Sequence, residues 1–284
     1  MNTVPDIILT NGVLHEVPIP QVGFGTFQIP PPDTALAVRD ALNVGYRHID
    51  TAQMYGNEQG VADGIMLSGL SRDDVFITTK LNNQYHRRDD ALRATDKSLQ
   101  ALNVDQIDLY LIHWPLPTIG IDYVETWKAM IELLNDGIAR AIGVSNFMPE
   151  HLERIIGETG VVPAANQVQV HPYSPNNVCR DANIKYGIAT EAWAPIAKGR
   201  VLDEAVVRDI AEKLDRTPAQ VVLRWHLQRG DIVIPKSVHK SRMVQNFNLF
   251  DFELDDAAMS AISSLDKGVA ADPDPRTFDY IPPN

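Results

Sequence analysis

Residues 75–113 read VFITTKLNNQYHRRDDALRATDKSLQALNVDQIDLYLIH and contain the clearest signal of the fold class. It contains a short apolar run at residues 75–80, a segment with helical spacing at residues 89–102, and a second apolar run at residues 107–113. A strand, a helix and a second strand in this order form the unit of parallel α/β folds. The first run ends in Lys80 and the second in His113, so each predicted strand places an ionisable group at its carboxyl end.

The same alternation of apolar runs and segments with helical spacing continues through the whole chain. Eight apolar runs are found, at residues 22–26, 47–50, 75–80, 107–113, 139–144, 165–168, 188–191 and 232–235. Segments with helical spacing lie between them, among them residues 33–43, 58–68, 89–102, 122–135, 149–156 and 218–228. Residues typical of helix starts are Asp33, Asp203, and Thr217 followed by Pro218. No linker or change of composition separates the units, so we expect one (β/α)₈ TIM barrel over residues 1–284, a single domain.

The two ends of the chain fall outside the eight units. Apolar residues recur at Ile7, Leu9, Val13 and Val17, which predicts a short N-terminal β-hairpin that caps the barrel. The tail after Lys267 is rich in proline and aspartate, and we expect it to form a C-terminal loop over the barrel.

Charge and cysteine content exclude several classes of function. The chain has 25 basic and 37 acidic residues, a formal net charge of -12, and the acidic residues are spread along its length. Nucleic acid or an anionic membrane surface would need a basic face, so neither is expected as a partner. The only cysteine, Cys179, excludes an internal disulfide and a thiolate cluster for zinc, and no metal is expected. Residues 1–9 do not resemble a signal peptide, so we expect a cytoplasmic protein.

Four ionisable side chains lie at or just beyond the carboxyl ends of consecutive predicted strands. Asp50 ends the second run and Tyr55 lies in the loop after it, while Lys80 and His113 end the third and fourth runs. Active sites of α/β barrels form at this rim. Each residue by itself has an ordinary structural explanation, such as a turn cap or a packed histidine. The four together favour a catalytic site.

The chemistry that this set suits is proton delivery to a carbonyl oxygen as a hydride arrives. A phenol with its ordinary pKa near ~10 is a weak acid at neutral pH, and an adjacent ammonium group stabilises its anion. We therefore expect Lys80 to lower the pKa of Tyr55, and Asp50 to keep Lys80 charged. A neutral His113 would donate a hydrogen bond to the substrate oxygen and orient it.

The chain has no complete dinucleotide fingerprint. The segment from Gly23 to Gln28, GFGTFQ, begins like one, but glutamine stands where the third glycine belongs and three prolines follow at residues 30–32. We therefore expect no helix here that opens onto a pyrophosphate.

A barrel binds phosphate in another place, at the loops after its seventh and eighth strands and at a helix amino terminus. Residues 234–242 read IPKSVHKSR, which ends the eighth strand and starts a helix. The cations Lys236 and Arg242 and the hydroxyl of Ser237 suit a phosphate monoester. An ordinary basic helix start explains them equally well.

Four motifs in order resemble those of the aldo-keto reductase superfamily, most closely the bacterial reductases of the 2,5-diketo-gluconate and methylglyoxal type. They are residues 45–58 (GYRHIDTAQMYGNE), 108–115 (DLYLIHWP), 143–147 (GVSNF) and 234–237 (IPKS), and the resemblance runs from residue 20 to residue 266. It implies an NADPH-dependent reductase of aldehydes and ketones that works as a monomer. It also implies that Asp50, Tyr55, Lys80 and His113 are the catalytic tetrad, with Tyr55 as general acid.

The resemblance assigns the phosphate segment to the cofactor. It implies that Lys236, Ser237 and Arg242 bind the 2′-phosphate of NADPH, which selects NADPH over NADH. Asn246 is expected to face the adenine, as is Gln245, where glutamate is common in the family.

The resemblance also assigns the nicotinamide end of the cofactor. It implies that Ser145, Asn146 and Gln167 hydrogen-bond the carboxamide and that Trp193 stacks on the ring, where many relatives carry tyrosine. The loop at residues 194–200 is expected to fold over the pyrophosphate. The remaining expected cofactor contacts are Gly25, Thr26, Ala194, Pro195, Ile196 and Val238.

The expected substrate residues are Phe27, Trp114 and Asn82. The first two match positions that line the family's cleft. Diketo-gluconate reductases usually carry tryptophan two residues after the catalytic lysine, where this chain has Asn82. A small polar side chain in place of an indole predicts a wider and wetter cleft, and it puts a specific sugar-acid substrate in doubt.

Two other classes of function stay open at this point. One is a catalytically weak, redox-sensing subunit that binds NADPH. The other is a barrel hydrolase with paired carboxylates, for which Asp50 and Glu191 are the only candidates. The hydrolase leaves Tyr55, Lys80 and Lys236 unexplained.

Overall fold

A two-stranded hairpin precedes the main sheet. The computed structural model describes residues 4–10, 16–268 and 273–283. Strands β1 (Asp6–Leu9) and β2 (Val17–Pro20) pair antiparallel, with Leu9 opposite Val17. Leu9 and Val17 are buried in one cluster with Phe76 and Ile232, residues at the beginning of barrel strands. The predicted hairpin cap is therefore confirmed, while Val13 lies outside the described residues.

Eight parallel strands form the barrel. They are β3 (Phe24–Gly25), β4 (His48–Asp50), β5 (Phe76–Leu81), β6 (Ile107–Ile112), β7 (Ala139–Ser145), β8 (Ala165–Gln169), β9 (Ala189–Trp193) and β10 (Ile232–Val233). Each strand pairs with the next one along the chain. Every residue of β5 and β6 is buried, because the barrel covers one face and the helices the other.

The first and last strands of this sheet meet. Val22 forms a parallel bridge with Val233, supported by hydrogen bonds from Gly23 N to Val233 O at 2.8 Å and from Val233 N to Gln21 O at 3.0 Å. A Cβ on Gly25 would lie 2.7 Å from the carbonyl oxygen of Ile234, so only glycine allows the two strands to approach this closely. The predicted (β/α)₈ architecture is confirmed.

Ten α-helices occur in the described part of the chain. They are α1 (Pro31–Val44), α2 (Glu58–Ser68), α3 (Arg88–Leu102), α4 (Tyr123–Asn135), α5 (Pro149–Thr159), α6 (Asn177–Tyr186), α7 (Ala205–Leu214), α8 (Pro218–Gln228), α9 (Lys240–Phe247) and α10 (Asp256–Ser263). Short 3₁₀ segments occupy Gln53–Tyr55, Arg72–Asp74, Asn83–Tyr85 and Ala197–Asp203. None of the helices within the described residues is long and apolar enough to cross a bilayer.

Of the three predicted helix N-caps, one is confirmed, and the other two are wrong by one residue and by three residues. Thr217 caps α8, and it shares a reciprocal capping box with Gln220. Helix α7 starts at Ala205 with Glu204 rather than Asp203 at its N-cap. Helix α1 starts at Pro31 with Pro30 at its N-cap, three residues before Asp33.

The prolines that follow the incomplete glycine fingerprint take part in the first helix. Pro31 and Pro32 form the first turn of α1. A proline has its φ angle already fixed near the helical value, and its missing N–H would be unpaired in a first turn anyway.

Candidate active site

The four predicted catalytic residues come together at the carboxyl ends of β4, β5 and β6. Asp50 ends β4, Lys80 is the next-to-last residue of β5, and His113 follows β6 directly. Tyr55 ends the short 3₁₀ turn after β4, where Gly56 takes a φ of 65° and redirects the chain. The Nζ atom of Lys80 lies 5.2 Å from the centre of the Tyr55 ring, and the rings of Tyr55 and His113 are 5.7 Å apart.

Lys80 is held as a buried cation. Its Nζ donates to Oδ2 of Asp50 at 2.7 Å and to the carbonyl oxygen of Thr51 at 2.8 Å, and its side chain is fully buried. Burial by itself lowers the pKa of Lys80, but Asp50, together with Tyr55 and Glu191, outweighs burial and raises that pKa above its ordinary value. The ion pair thus keeps a positive charge next to Tyr55.

The pKa of Tyr55 differs from the sequence-based expectation. Burial raises it to about 12, while the Lys80 ammonium lowers it and the Asp50 carboxylate raises it further. The expected net decrease in the pKa of Tyr55 is therefore wrong, because burial destabilises the phenolate more than the neighbouring Lys80 cation stabilises it. Lys80 limits the rise in the pKa of Tyr55 without reversing it.

His113 is a neutral imidazole. Burial, followed by the nearby Lys80 ammonium, holds the pKa of His113 well below its ordinary value. Its Nδ1 is buried and has no hydrogen-bond partner among the described residues. Its backbone carbonyl accepts a hydrogen bond from Nδ2 of Asn146 at 3.0 Å, which links β6 to the end of β7.

The residues expected at the nicotinamide form a connected polar chain beside the tetrad. Ser145 Oγ donates to the carbonyl oxygen of Gln167 at 2.8 Å. Asn146 has a φ of 63°, and its Oδ1 accepts from Nε1 of Trp193 at 2.9 Å. Gln167 Nε2 donates to Asp50 Oδ2 at 2.8 Å, so the chain joins the tetrad directly.

Sequence reasoning gave Glu191 a role only in the hydrolase alternative. Its side chain is fully buried in β9, and its Oε2 accepts from the same Nε2 atom of Gln167 at 2.8 Å. A carboxyl group buried this way cannot reach a ligand at the mouth of the barrel. The arrangement of Asp50 and Glu191 therefore does not fit a hydrolase that uses paired carboxylates. The signal in the sequence was an acidic residue within an apolar strand run.

The segment expected to bind the 2′-phosphate carries free positive charge. Lys236 and Arg242 are exposed, and neither forms an ion pair with any residue that the structure describes. Ser237 is buried, and its Oγ accepts from the backbone N of His239 at 3.1 Å. His239 is the N-cap of α9 and makes no side-chain cap bond, so the first N–H groups of this helix stay available to an anion. Nearby, Asn246 is buried and Gln245 is exposed.

The loop expected to cover the pyrophosphate has a strained backbone. Ala194, Ala197 and Lys198 have φ values of 51°, 50° and 54°, in the left-handed region that side chains with a Cβ rarely adopt. The carbonyl oxygen of Pro195 accepts from Nε2 of His226 at 3.0 Å, and the other ring nitrogen of His226 contacts Asp231. Sequence reasoning missed this anchor, because nothing in the helical pattern of α8 marks His226.

Of the three expected substrate residues, Phe27 lies against Tyr55. The Phe27 ring is 52% exposed and lies 5.0 Å from the Tyr55 ring. Trp114 packs against Phe278 of the C-terminal tail at 4.2 Å between ring centres. Asn82 is partly buried, and its side chain accepts from the backbone N of Gln84 at 3.4 Å.

The C-terminal tail contacts the same side of the barrel, and sequence reasoning did not single out any of its residues. Asn83 Nδ2 donates to the carbonyl oxygen of Tyr280 at 2.9 Å, and Gln84 Nε2 donates to that of Pro282 at 2.6 Å. Arg276 forms an ion pair with Glu150 at 2.7 Å. The aromatic residues Phe278 and Tyr280 in a polar, proline-rich tail were the sequence signal for this role.

Comparison with known proteins agrees with the fold. Residues 21–267 match the Aldo/keto reductase family, and the chain belongs to this family. An aldo-keto reductase from Mycolicibacterium smegmatis is 51% identical over 262 residues, which cover 92% of this chain and 95% of that protein. Methylglyoxal reductase DkgA from Escherichia coli (strain K12) is 46% identical over 262 residues, covering 92% and 94%. A crystal structure of a Gox0644 mutant in complex with NADPH has a TM-score of 0.90 and 45% identity, covering 97% and 99%.

The protein is therefore an NADPH-dependent oxidoreductase. Its own residues fit that cofactor. The exposed cations of the phosphate segment have no carboxylate partner among the described residues, and the amino terminus of α9 lies directly beyond them. The polar chain from Ser145 to Trp193 lies beside the tetrad. A positively charged end and a polar end of this kind suit a phosphorylated dinucleotide whose nicotinamide ring carries a carboxamide.

Proposed function

We propose that the protein reduces small aldehydes and α-dicarbonyls to alcohols, with Tyr55 as the general acid. The observation that supports this most directly is the placement of Tyr55 between a neutral His113 and the buried Lys80–Asp50 ion pair. The methylglyoxal reductase relative supports the substrate class, because methylglyoxal is a small α-dicarbonyl.

We assign the cofactor contacts as follows. Lys236, Ser237 and Arg242 would hold the 2′-phosphate, and the strained loop at residues 194–200 would cover the pyrophosphate. When bound, NADPH supplies the hydride for the reduction. The residues proposed to orient its nicotinamide are Ser145, Asn146, Gln167 and Trp193. The further proposed contacts, including the adenine pair, are Gly25, Thr26, Ala194, Pro195, Ile196, Val238, Gln245 and Asn246.

The protein's own residues then handle the proton. The carbonyl oxygen lies between Tyr55 and His113, and negative charge grows on this oxygen during reduction. The phenol of Tyr55 transfers its proton to the oxygen, and the phenolate that remains is stabilised by the Lys80 ammonium. Asp50 keeps Lys80 protonated, and neutral His113 donates a hydrogen bond that fixes the oxygen's position.

A direct assay tests the proposed function. The purified protein, mixed with NADPH and methylglyoxal, phenylglyoxal or nitrobenzaldehyde, should consume NADPH and form the matching alcohol. NADPH binding without consumption of any of these compounds would contradict the proposal and favour the redox-sensing subunit. We further propose that the protein is a single-domain monomer in the cytoplasm. Size-exclusion chromatography with light scattering measures its oligomeric state.

The proposed 2′-phosphate contact predicts a cofactor-specific effect of Arg242→Ala. The substitution should weaken NADPH binding by about 1.5–3 kcal/mol, the size of a charge-assisted hydrogen bond, and leave NADH binding nearly unchanged. Fluorescence titration with both cofactors measures the difference. Lys240→Ala is the matched control, because Lys240 is an exposed cation on the same helix that we do not place at the phosphate. Equal losses for NADPH and NADH would contradict the assignment.

The proposed position of Asn82 predicts a wide cleft that binds substrates weakly. Without an indole beside Lys80, ligands lose contact area worth about 1–3 kcal/mol, so small reactive carbonyls should show high KM and good turnover. The sugar acid 2,5-diketo-gluconate should be a poor substrate. Asn82→Trp should narrow the range of accepted carbonyls, as measured by kcat/KM over the panel in both proteins.

A control separates the cleft effect from the turn that Asn82 supports. Asn82 accepts a hydrogen bond from Gln84 N, and Asn82→Trp removes this contact. Asn82→Ala removes the contact without adding an indole, and it should leave the substrate profile broad. A profile that Asn82→Trp leaves unchanged, or a wild-type enzyme selective for one sugar acid, would show that Asn82 does not face the substrate.

A further inference from the structure

Glu191 is a buried acid that the proposed proton transfer does not use. Its side chain is fully buried in the barrel interior, and its Oε1 has no hydrogen-bond partner among the described residues. Oε2 accepts one hydrogen bond, from Nε2 of Gln167 at 2.8 Å. A buried carboxyl group with a single donor is costly to keep, so its presence here calls for a physical reason.

The partner of Glu191 is shared with the tetrad. Gln167 Nε2 donates to Oδ2 of Asp50 and to Oε2 of Glu191, each at 2.8 Å. An amide nitrogen carries two N–H groups, so these two acceptors use both of them. The amide oxygen of Gln167 must then point away from both carboxyl groups. This oxygen has no partner among the described residues, which leaves it available to an N–H donor of a ligand.

The charge state of Glu191 follows from its surroundings. The titratable groups that face it are Asp50 and His48 on β4, Lys80 on β5, and Tyr55. Burial, and then the Asp50 carboxylate, raises the pKa of Glu191 to about 8. His48 Nε2 lies 3.6 Å from Glu191, and burial lowers the pKa of His48 to about 3, so it offers no positive charge.

We propose that Glu191 is a positioning residue that, as a neutral acid, fixes the Gln167 amide with its oxygen turned to the nicotinamide carboxamide. Ionisation of Glu191 in alkaline solution then weakens Tyr55 as an acid. A negative charge on Glu191 raises the pKa of Tyr55, because it opposes formation of the phenolate. The inference rests on the proposed function, since it needs the nicotinamide next to Gln167.

Cofactor binding provides the first test. Glu191→Leu removes the acceptor for Gln167 and should weaken NADPH binding about three- to tenfold. Glu191→Gln keeps an acceptor oxygen and should stay within about twofold of wild type. The matched control is Glu58→Gln, which alters a buried carboxyl group bonded to Thr79 and Ser98 and not to Gln167. We expect this control to bind NADPH within about twofold of wild type.

A double substitution shows whether the effect passes through Gln167. In a Gln167→Ala background, Glu191→Leu should change the Kd for NADPH by less than about twofold. An effect of the same size in both backgrounds would mean that Glu191 only supports the barrel, and it would overturn the proposal.

The charge state is tested without any cofactor. The infrared spectrum of the free protein should contain a protonated-carboxyl band that is absent in Glu191→Gln and titrates with a midpoint near pH 8. With NADPH and substrate saturating, kcat of the wild type should fall between about pH 7 and 9, while kcat of Glu191→Gln stays level. The same decline in both proteins would overturn the proposal, as would a band that does not titrate.

These outcomes separate the two proposals. If Tyr55→Phe keeps its activity, the proposed function fails, whatever the Glu191 variants do. If Tyr55→Phe is inactive but the Glu191 variants behave like wild type in binding, infrared spectrum and pH profile, only the present inference fails. If the Glu191→Leu variant does not fold, the infrared spectrum and the pH profile of the Glu191→Gln variant still test the inference about Glu191.

Discussion

Tyr55→Phe is expected to lose nearly all carbonyl reduction, with kcat falling by about 10²–10⁴-fold. The substitution removes only the phenolic oxygen, and this group is needed when charge develops on the substrate oxygen rather than when the cofactor binds. The Kd for NADPH should therefore stay within a few-fold of wild type. Single-turnover kinetics and fluorescence titration measure the two quantities separately.

A matched control shows that the loss belongs to this tyrosine. Tyr110→Phe also removes a buried phenolic oxygen, but Tyr110 lies within β6 and is paired with Thr95 at 3.4 Å, outside the tetrad. The Tyr110→Phe variant should lose about 1 kcal/mol or less of unfolding free energy and keep a kcat close to that of the wild type. Normal turnover in Tyr55→Phe would remove Tyr55 from the role of general acid.

Lys80→Met should be strongly destabilising as well as inactive. The substitution leaves the Asp50 carboxylate buried at 2% side-chain exposure without its cation. Breaking a buried ion pair in this way typically costs about 3–5 kcal/mol of unfolding free energy. Turnover should fall too, because the phenolate of Tyr55 loses the positive charge that stabilises it. Urea unfolding, monitored by tryptophan fluorescence, measures the change in stability.

A second substitution separates stability from catalysis. In the double variant Asp50→Leu with Lys80→Met no charge is left unpaired, so much of the lost stability should return. Activity should not return, since the double variant still has no cation next to Tyr55. If activity recovered together with stability, Lys80 would be a structural residue and the proposed proton transfer would need another explanation.

Much of the fold was predictable because its signals are local. The alternation of apolar runs and helical segments gives eight strands and their order, and the barrel rule then places strand ends on one rim. Asp50, Lys80 and His113 needed no knowledge of tertiary contacts, because each stands at the end of its own strand. The N-caps of α7 and α1 were missed by one and by three residues, since the sequence does not mark the exact end of a helix sharply.

Interactions between distant segments were not predictable in this way. Gln167 donates to Asp50, 117 positions away, and to Glu191, 24 positions away, so its orientation exists only in the closed barrel. Phe278 meets Trp114 only when the C-terminal tail returns across the site.

The barrel and the identity of the residues on its rim follow from the chain alone, because apolar periodicity and strand ends are local features of the sequence. The protonation states of those residues depend on the folded structure. The pKa of Tyr55 rises to about 12 instead of falling. The physical reason is that desolvation depends on how completely all neighbouring segments exclude water, and no property of the local sequence reports that.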